Sequence, residues 1–138
     1  MQDGSGSCLH LFAYGSLREG ERDHALLQGA ERLGIVSTAP RYRLVDLGVY
    51  PALIARGTFS IVGELYRIDR ELRRQLDVRK ECPFLFQREP IELATGDWAE
   101  AYVMREDQVP GRRRLRVADW KQRFAPRSTP RTWRVRMR

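Results

Sequence analysis

The apolar residues of this chain fall in short runs, each bounded by glycine, proline or a cluster of charged residues. The shortest runs favour β-strands, because a strand needs only about 4–8 residues, and the longer run Thr58–Ile68 is rich in the β-branched and aromatic residues that strands prefer. Pro51 predicts a turn after the second run, and Gly63 predicts a bulge or a close backbone approach. The runs that we interpret as strands are Leu9–Tyr14, Tyr42–Leu53, Thr58–Ile68, Phe84–Leu93 and Trp98–Met104, with a link of hairpin length joining the last two.

Two segments between these runs predict short helices. Small and apolar residues recur at helical spacing over residues 25–33, and Gly34 is suited to end a helix there. Asp69 is a favourable N-cap for a second helix over residues 70–79, which must end before Pro83. Because the strand–helix alternation of a parallel sheet is absent, we expect an α+β fold. Its form would be a small curved or barrel-like mixed β-sheet with short flanking helices.

A length of 138 residues suits a single domain. Composition indicates a flexible leader over residues 1–8, a folded domain over 9–125 and a basic C-terminal extension over 126–138. No apolar run approaches the roughly 20 residues that cross a bilayer, and the polar start lacks the features of a secretory signal. Two cysteines are too few for a disulfide scaffold. We therefore expect a cytoplasmic protein with no membrane contact, whose oligomeric state the sequence leaves open.

The net charge of +7 is concentrated near the C-terminus. Residues 105–138 carry +9, from eleven arginines and one lysine against three carboxylates, which leaves −2 for residues 1–104. Arginine clusters can grip phosphates, so nucleic-acid or anionic-surface binding is one interpretation. The other is a solvated surface in a chain that uses 23 arginines and two lysines. The arginines that would carry such binding are Arg112, Arg113, Arg114 and Arg116.

The first strand leads directly into Tyr14-Gly15-Ser16-Leu17. A turn of this kind can direct successive backbone N–H groups into one concavity, which is a general way to hold a carboxylate or an oxyanion. Taken alone, the tetrapeptide is equally compatible with an ordinary turn. The segment is therefore a candidate anion site that needs support from the rest of the chain.

The phenylalanine, tyrosine, glycine, serine and leucine of residues 12–17 resemble the signature loop of the gamma-glutamylcyclotransferase-like family. Further matches follow in the family's order over about residues 9–124. They are Gly48-x-Tyr50-Pro51, Val62-Gly63-Glu64-Leu65-Tyr66-x-Ile68-Asp69, Leu76-Asp77, Cys82-Pro83, Phe86-Gln87-Arg88, Ala101-Tyr102-Val103 and Val117-x-x-Asp119-Trp120. The chain is on this ground identified as a member of that family.

The resemblance implies a small β-barrel with flanking helices and a cofactor-free activity. The α-amine of a small γ-glutamyl compound attacks its own γ-carbonyl, closing 5-oxoproline and releasing the attached amine. The resemblance places substrate binding at Tyr14, Gly15, Ser16 and Leu17. Phe86 and Tyr102 would line the pocket wall, although the family more often has a tyrosine at the position of Phe86.

The chain departs from the family at the catalytic position. The family pattern Leu-Asp-x-x-Glu-Gly-x-Pro corresponds here to residues 76–83, so Lys80 stands in place of the Glu and Glu81 in place of the Gly. Glu81 is our predicted base, although one residue along a helix turns a side chain by about 100°. Glu64 is a second candidate, because burial of a carboxylate is costly unless the group accepts hydrogen bonds or takes part in the reaction. Two alternatives stay open: Lys80 takes the proton if burial lowers its pKa, or the pocket binds without cyclising.

The cysteines and histidines do not suggest a metal site. Cys8 and His10 lie two residues apart, far from His24 and Cys82, and this spacing matches no familiar zinc motif. Cys82 also has no histidine nearby in the sequence that would activate it as a nucleophile. We therefore predict no metal site, and the family resemblance implies no cofactor.

Overall fold

The computed structural model describes residues 9–124 of the protein. Within this range the strands and the helix are β1 (Leu9–Ala13), β2 (Glu31–Ser37), β3 (Tyr42–Asp46), β4 (Pro51–Phe59), β5 (Val62–Ile68), α1 (Arg70–Arg79), β6 (Gln87–Glu92) and β7 (Trp98–Val103). Short 3₁₀ segments occupy His24–Leu27, Glu106–Gln108 and Trp120–Gln122. The predicted leader, residues 1–8, and the predicted basic extension, residues 126–138, lie outside the described residues.

One open, mixed sheet joins the described strands in the order β2-β5-β1-β7-β4-β3, and β6 pairs with β7. β1 lies inside this sheet, antiparallel to β5 and parallel to β7. β7 is in turn parallel to β4, with Leu53 opposite Val103. The end of β1 therefore meets the end of β7 and the start of β4. The architecture confirms the predicted α+β class with a curved mixed sheet, which is open rather than a closed barrel.

The alternation of side chains along β1 separates two hydrophobic clusters. Leu11 and Ala13 belong to the cluster that also contains Leu76 of α1. Phe12 and Tyr14 belong to a second cluster, built from the opposite sides of the strands. The residues after Ala13 are thus fixed from both faces of the sheet. Within residues 9–124, none of the helices has the length and apolarity that crossing a membrane requires.

Helix α1 begins and ends where the sequence predicts. The Asp69 side chain accepts a hydrogen bond from the backbone N–H of Leu72 at 2.8 Å, which satisfies one of the free donors of the first turn. Leu76 is buried beneath the helix. The helix ends at Arg79, and Lys80 is its C-cap. The end of α1 therefore positions the pair Lys80 and Glu81.

The helix predicted over residues 25–33 is wrong. Only His24–Leu27 forms a short 3₁₀ segment, and residues 31–37 form strand β2, which pairs with β5. Leu33 is exposed, so the apolar spacing did not mark a buried helical face. Gly34, expected as a helix end, lies where the register of this pairing shifts. Tertiary pairing with β5 here outweighs local helical spacing.

Pro51 and Gly63 lie where backbone segments meet. Pro51 opens β4 instead of forming the predicted turn, and the first residue of a strand tolerates a missing N–H donor. Gly63 confirms the predicted close approach, because an added Cβ would lie 2.5 Å from the carbonyl oxygen of Ala13. Both residues therefore hold neighbouring strands against the end of β1.

Candidate active site

The Tyr14–Leu17 segment follows β1 and is buried throughout. Its glycine is required by packing, because a Cβ at Gly15 would lie 2.5 Å from Cγ of Pro51. Two segments that the sequence singled out separately therefore meet in the fold. Together with Lys80 and Tyr102 they line a cavity of about 10 Å³, which we call the loop cavity. A space of this size holds about one water molecule.

The carbonyl and N–H groups of this segment differ in how far the described hydrogen bonds use them. The carbonyl oxygens of Gly15, Ser16 and Leu17 accept from Arg18 N, Asp23 N and His24 Nδ1 respectively. Among residues 9–124, the N–H groups of Gly15, Ser16 and Leu17 have no backbone acceptor. Buried N–H groups are nearly always paired. The segment therefore offers donors that a bound carboxylate or oxyanion would satisfy.

The hydroxyl of Tyr14 has a structural role. It donates to the Tyr102 carbonyl at 2.5 Å and accepts from the Leu53 N–H at 3.1 Å, which ties together β1, β7 and β4. Burial raises the pKa of Tyr14 far above its ordinary range, so the hydroxyl stays protonated. Tyr14 therefore shapes the loop cavity and has no readily released proton.

The side chain of Lys80 reaches the loop at Ser16. Its Nζ lies 3.2 Å from Ser16 Oγ, and 5.6 Å and 5.1 Å from the ring centroids of Tyr50 and Phe86. Burial lowers the pKa of Lys80, with the field of Asp23 opposing this and nearby arginines adding to it. A lysine in such surroundings can act as a carboxylate ligand when charged and as a base when neutral.

Glu81 lies outside the loop cavity. Its side chain is exposed, and its backbone has a φ of 52°, in the left-handed region that favours glycine. This conformation agrees with its place opposite the Gly of the family pattern. The structure thus brings Lys80, and not the predicted base Glu81, against the Tyr14–Leu17 segment.

Replacing Glu81 by glycine should raise the free energy of unfolding by about 0.5–1 kcal/mol, because a left-handed non-glycine residue costs about 1–2 kcal/mol and glycine regains most of it. Urea denaturation measures the change. Glu89→Gly, at an exposed position on strand β6, is the matched control and should lose about 0.5–1 kcal/mol. Equal losses in the two variants would contradict the strain at residue 81.

Glu64 is buried and fully engaged. Its carboxylate accepts from the Glu19 N–H at 2.8 Å, the Tyr66 hydroxyl at 2.9 Å and Arg18 Nε at 3.1 Å. Burial alone would raise the pKa of Glu64, but these three donors outweigh it and lower the pKa. Arg18 follows the Tyr14–Leu17 segment directly and is 3% exposed. Glu64 thus anchors the end of this segment, and three donors already bind its carboxylate oxygens.

Tyr102 and Phe86 both lie at the candidate site. The Tyr102 hydroxyl donates to Asp77 Oδ1 at 2.5 Å, and burial together with this bond raises its pKa far above the ordinary range. Asp77 also pairs with Arg88. Phe86 is buried against Tyr50, with ring centroids 5.9 Å apart. The Asp77–Arg88 pair joins the motifs Leu76-Asp77 and Phe86-Gln87-Arg88. Their opposite charges are the sequence signal from which this contact could have been predicted.

The arginine cluster is partly neutralised where the structure describes it. Arg113 pairs with Asp46 at 2.9 Å, and Arg114 pairs with Glu106 at 3.0 Å. Arg112 and Arg116 are exposed. Residues 9–124 contain no group of three or more metal-binding side chains. Cys8 and residues 126–138 lie outside this range.

Comparison with known proteins yields a family match and close structural likenesses. A model of the family "Gamma-glutamyl cyclotransferase, AIG2-like" matches residues 11–122. A putative gamma-glutamylcyclotransferase of Vibrio cholerae is 41% identical over 96 residues, covering 70% of this chain and 82% of that protein. A gamma-glutamylaminecyclotransferase of Bos taurus is 34% identical over 102 residues, covering 67% and 60% respectively.

Two solved structures resemble the fold. An AIG2-like protein from Mus musculus matches with a TM-score of 0.64 and 26% identity, over 71% of this chain and 78% of that one. The uropathogenic Escherichia coli protein c4763 matches with a TM-score of 0.75 and 19% identity, over 84% and 94%. The second likeness concerns the fold alone.

Proposed function

Because this chain belongs to the gamma-glutamyl cyclotransferase, AIG2-like family, we propose that it cyclises the γ-glutamyl group of a small amine or peptide to 5-oxoproline and releases the amine. The observation that carries this proposal is the position of Lys80. Its Nζ is 3.2 Å from Ser16 Oγ in a cavity lined by the Tyr14–Leu17 segment. A proton acceptor and a set of anion-binding donors thus face the same small space.

The loop cavity has room for about one oxygen atom, so the developing oxyanion would enter it and accept from the N–H groups of Gly15, Ser16 and Leu17. Neutral Lys80 takes one proton from the α-ammonium, and the freed amine forms a bond to the γ-carbonyl carbon. The tetrahedral oxyanion then collapses, the original C–N bond breaks, and Lys80 returns its proton to the leaving nitrogen. The ring nitrogen's second proton passes to the same amine, which leaves as an ammonium. Lys80 ends neutral, and no further reactant is needed.

The energetic demand on the protein is modest, because the attack is intramolecular. Well-oriented reactions of this kind reach effective molarities of about 10⁵–10⁸ M. Donors aimed at a developing oxyanion contribute about 10²–10³-fold each. The fold's main task is therefore to hold the γ-glutamyl chain in a curled conformation beside Lys80.

Lys80 suits the role of base better than the carboxylates do. Glu81 is exposed, and the oxygens of Glu64 already accept from three donors. Burial lowers the pKa of Lys80, which increases the neutral fraction near physiological pH. The base expected from the sequence, Glu81, is therefore replaced in the proposal by its neighbour.

A non-catalytic binding domain is the second candidate, and Lys80 itself favours it. A charged ammonium next to the loop would hold a carboxylate firmly and take no proton. Such a domain would bind a γ-glutamyl compound without turning it over. The cyclotransferase would release 5-oxoproline and the binding domain would not, so this product distinguishes the two candidates.

The wild-type protein should release 5-oxoproline from at least one member of a panel of γ-glutamyl amines and dipeptides, quantified by mass spectrometry. Glu81→Gln should leave kcat/KM for a γ-glutamyl alkylamide within about threefold, because Glu81 is exposed and lies outside the loop cavity in which the proton is transferred. Absence of 5-oxoproline from every compound, in a folded protein that still binds them by calorimetry, would establish the binding domain instead.

A further inference from the structure

A second cavity adjoins the loop cavity. It measures about 80 Å³, and we call it the outer cavity. Its apolar walls come from Leu26, Tyr50, Leu85 and Phe86. Nothing in the loop chemistry described above uses this space.

Lys80 belongs to both cavities. Its Nζ stands 3.2 Å from Ser16 Oγ on one side, with the Tyr50 and Phe86 rings on the other. If Lys80 moves protons between the attacking and the leaving nitrogen, the bond that breaks must lie beside Nζ. The leaving group then extends away from the loop cavity, into the outer cavity.

We propose that the outer cavity is the leaving-group subsite and that it selects a short, uncharged aliphatic amine. This inference rests on the cyclotransferase function proposed above. It adds the class of leaving group, which no sequence motif specifies.

The residues that line the outer cavity favour an apolar amine as the leaving group. The charged residues of the cavity besides Lys80 are Asp23, Glu81 and Arg79, of both signs. A carboxylate on the leaving group, as in a γ-glutamyl dipeptide, would meet two acidic side chains beside a single arginine. An alkyl chain would instead replace water against the aromatic and leucine walls. Because about 80 Å³ is roughly half of the ~150 Å³ cavity that accepts benzene, we expect room for about three to four carbons.

The test is a series of γ-glutamyl n-alkylamides, from methylamide to hexylamide, with γ-glutamylglycine for comparison. We expect kcat/KM to rise about threefold to fourfold for each added methylene, which corresponds to about 0.8 kcal/mol of burial. The rise should stop near butylamide, and γ-glutamylglycine should fall below propylamide. A flat series, or a preference for γ-glutamylglycine, would overturn the inference.

A substitution in the apolar wall of the outer cavity provides a second test. Leu26→Ala should shift the length at which the rise stops by one or two carbons, because it enlarges the outer cavity. Leu33→Ala, which truncates an exposed leucine of β2, is the matched control and should leave the length profile unchanged. Identical profiles for wild type and Leu26→Ala would count against the assignment of the cavity.

The failure of the subsite and the failure of the proposed function are distinguishable. If no compound is turned over, calorimetric binding of the same amides replaces kcat/KM as the readout. Affinity that rises with chain length and stops near butylamide would retain the subsite in a protein that does not cyclise. Turnover without any length dependence would retain the reaction and remove the subsite.

Discussion

Replacing Arg18 by methionine is expected to lower the free energy of unfolding by about 3–5 kcal/mol, because it leaves the Glu64 carboxylate buried without its cation. Arg18 and Glu64 are 3% and 2% exposed, and Nε lies 3.1 Å from Oε2. Asp119 accepts from Arg18 Nη1 at 2.5 Å, so the same substitution also removes the contact between this arginine and Asp119. Urea denaturation followed by circular dichroism measures the loss.

Two further variants separate this loss from a general effect of arginine removal. Arg67→Met removes an exposed arginine from strand β5, whose partner Glu31 is 3.6 Å away, and should change stability by less than about 1 kcal/mol. Arg18→Met combined with Glu64→Gln should be more stable than Arg18→Met alone, since an amide oxygen still accepts from Glu19 N and Tyr66. A double variant as unstable as the single one would show that the buried charge is not the cause.

The pH dependence of Arg18→Met has a definite sign. In the wild type the folded pKa of Glu64 is lowered, so its stabilisation is present above the ordinary value of about 4.3 and is lost as pH falls further. Without Arg18 the Glu64 carboxylate loses one donor and the neighbouring positive charge, so its folded pKa lies above the wild-type value and the variant loses less stability as pH falls. The stability gap between the two proteins should therefore narrow below about pH 5.

Much of the fold could be predicted because its signals are local. Asp69 caps α1, and residues 94–97 connect the hairpin of β6 and β7, as expected from turn and cap chemistry. Strand β2 could not be predicted, because its residues have helical spacing and become a strand by pairing with β5. The turn predicted at Pro51 was wrong for a similar reason, because Pro51 pairs with Asp46 of β3 and packs against Gly15.

The candidate site also contains parts that the sequence could predict and parts that it could not. The Tyr14–Leu17 segment could be found from the sequence, and so could the replacement of the family's Glu by Lys80. Whether residue 80 or 81 faces the loop depends on the backbone at the end of α1, where the φ of Glu81 is 52°. The ion pair of Arg18 and Glu64 joins residues that are 46 positions apart, and nothing local marks the arginine as buried.

Replacing Lys80 by methionine should lower kcat/KM for 5-oxoproline release by about 10²–10⁴-fold, the usual contribution of a general base. Methionine keeps a flexible chain between the Tyr50 and Phe86 rings, so the cavity walls should survive. Lys121→Met removes the same charge from an exposed position and should change kcat/KM by less than about threefold. If Lys80→Met retained wild-type turnover, the base would have to be another group.

A base swap gives the sharper test, because the two bases titrate in different ranges. With Lys80, kcat/KM should rise with pH up to the lysine's pKa, which burial lowers from its usual 10.4 or so. Lys80→Glu restores the residue type of the family pattern and should move this ascending limb toward the carboxylate range near 4.3. The substrate amine titrates identically in both proteins, so the difference between the profiles belongs to residue 80. If wild type is inactive and Lys80→Glu, with or without Glu81→Gly, gains turnover, the natural lysine has converted a cyclotransferase pocket into a binding site.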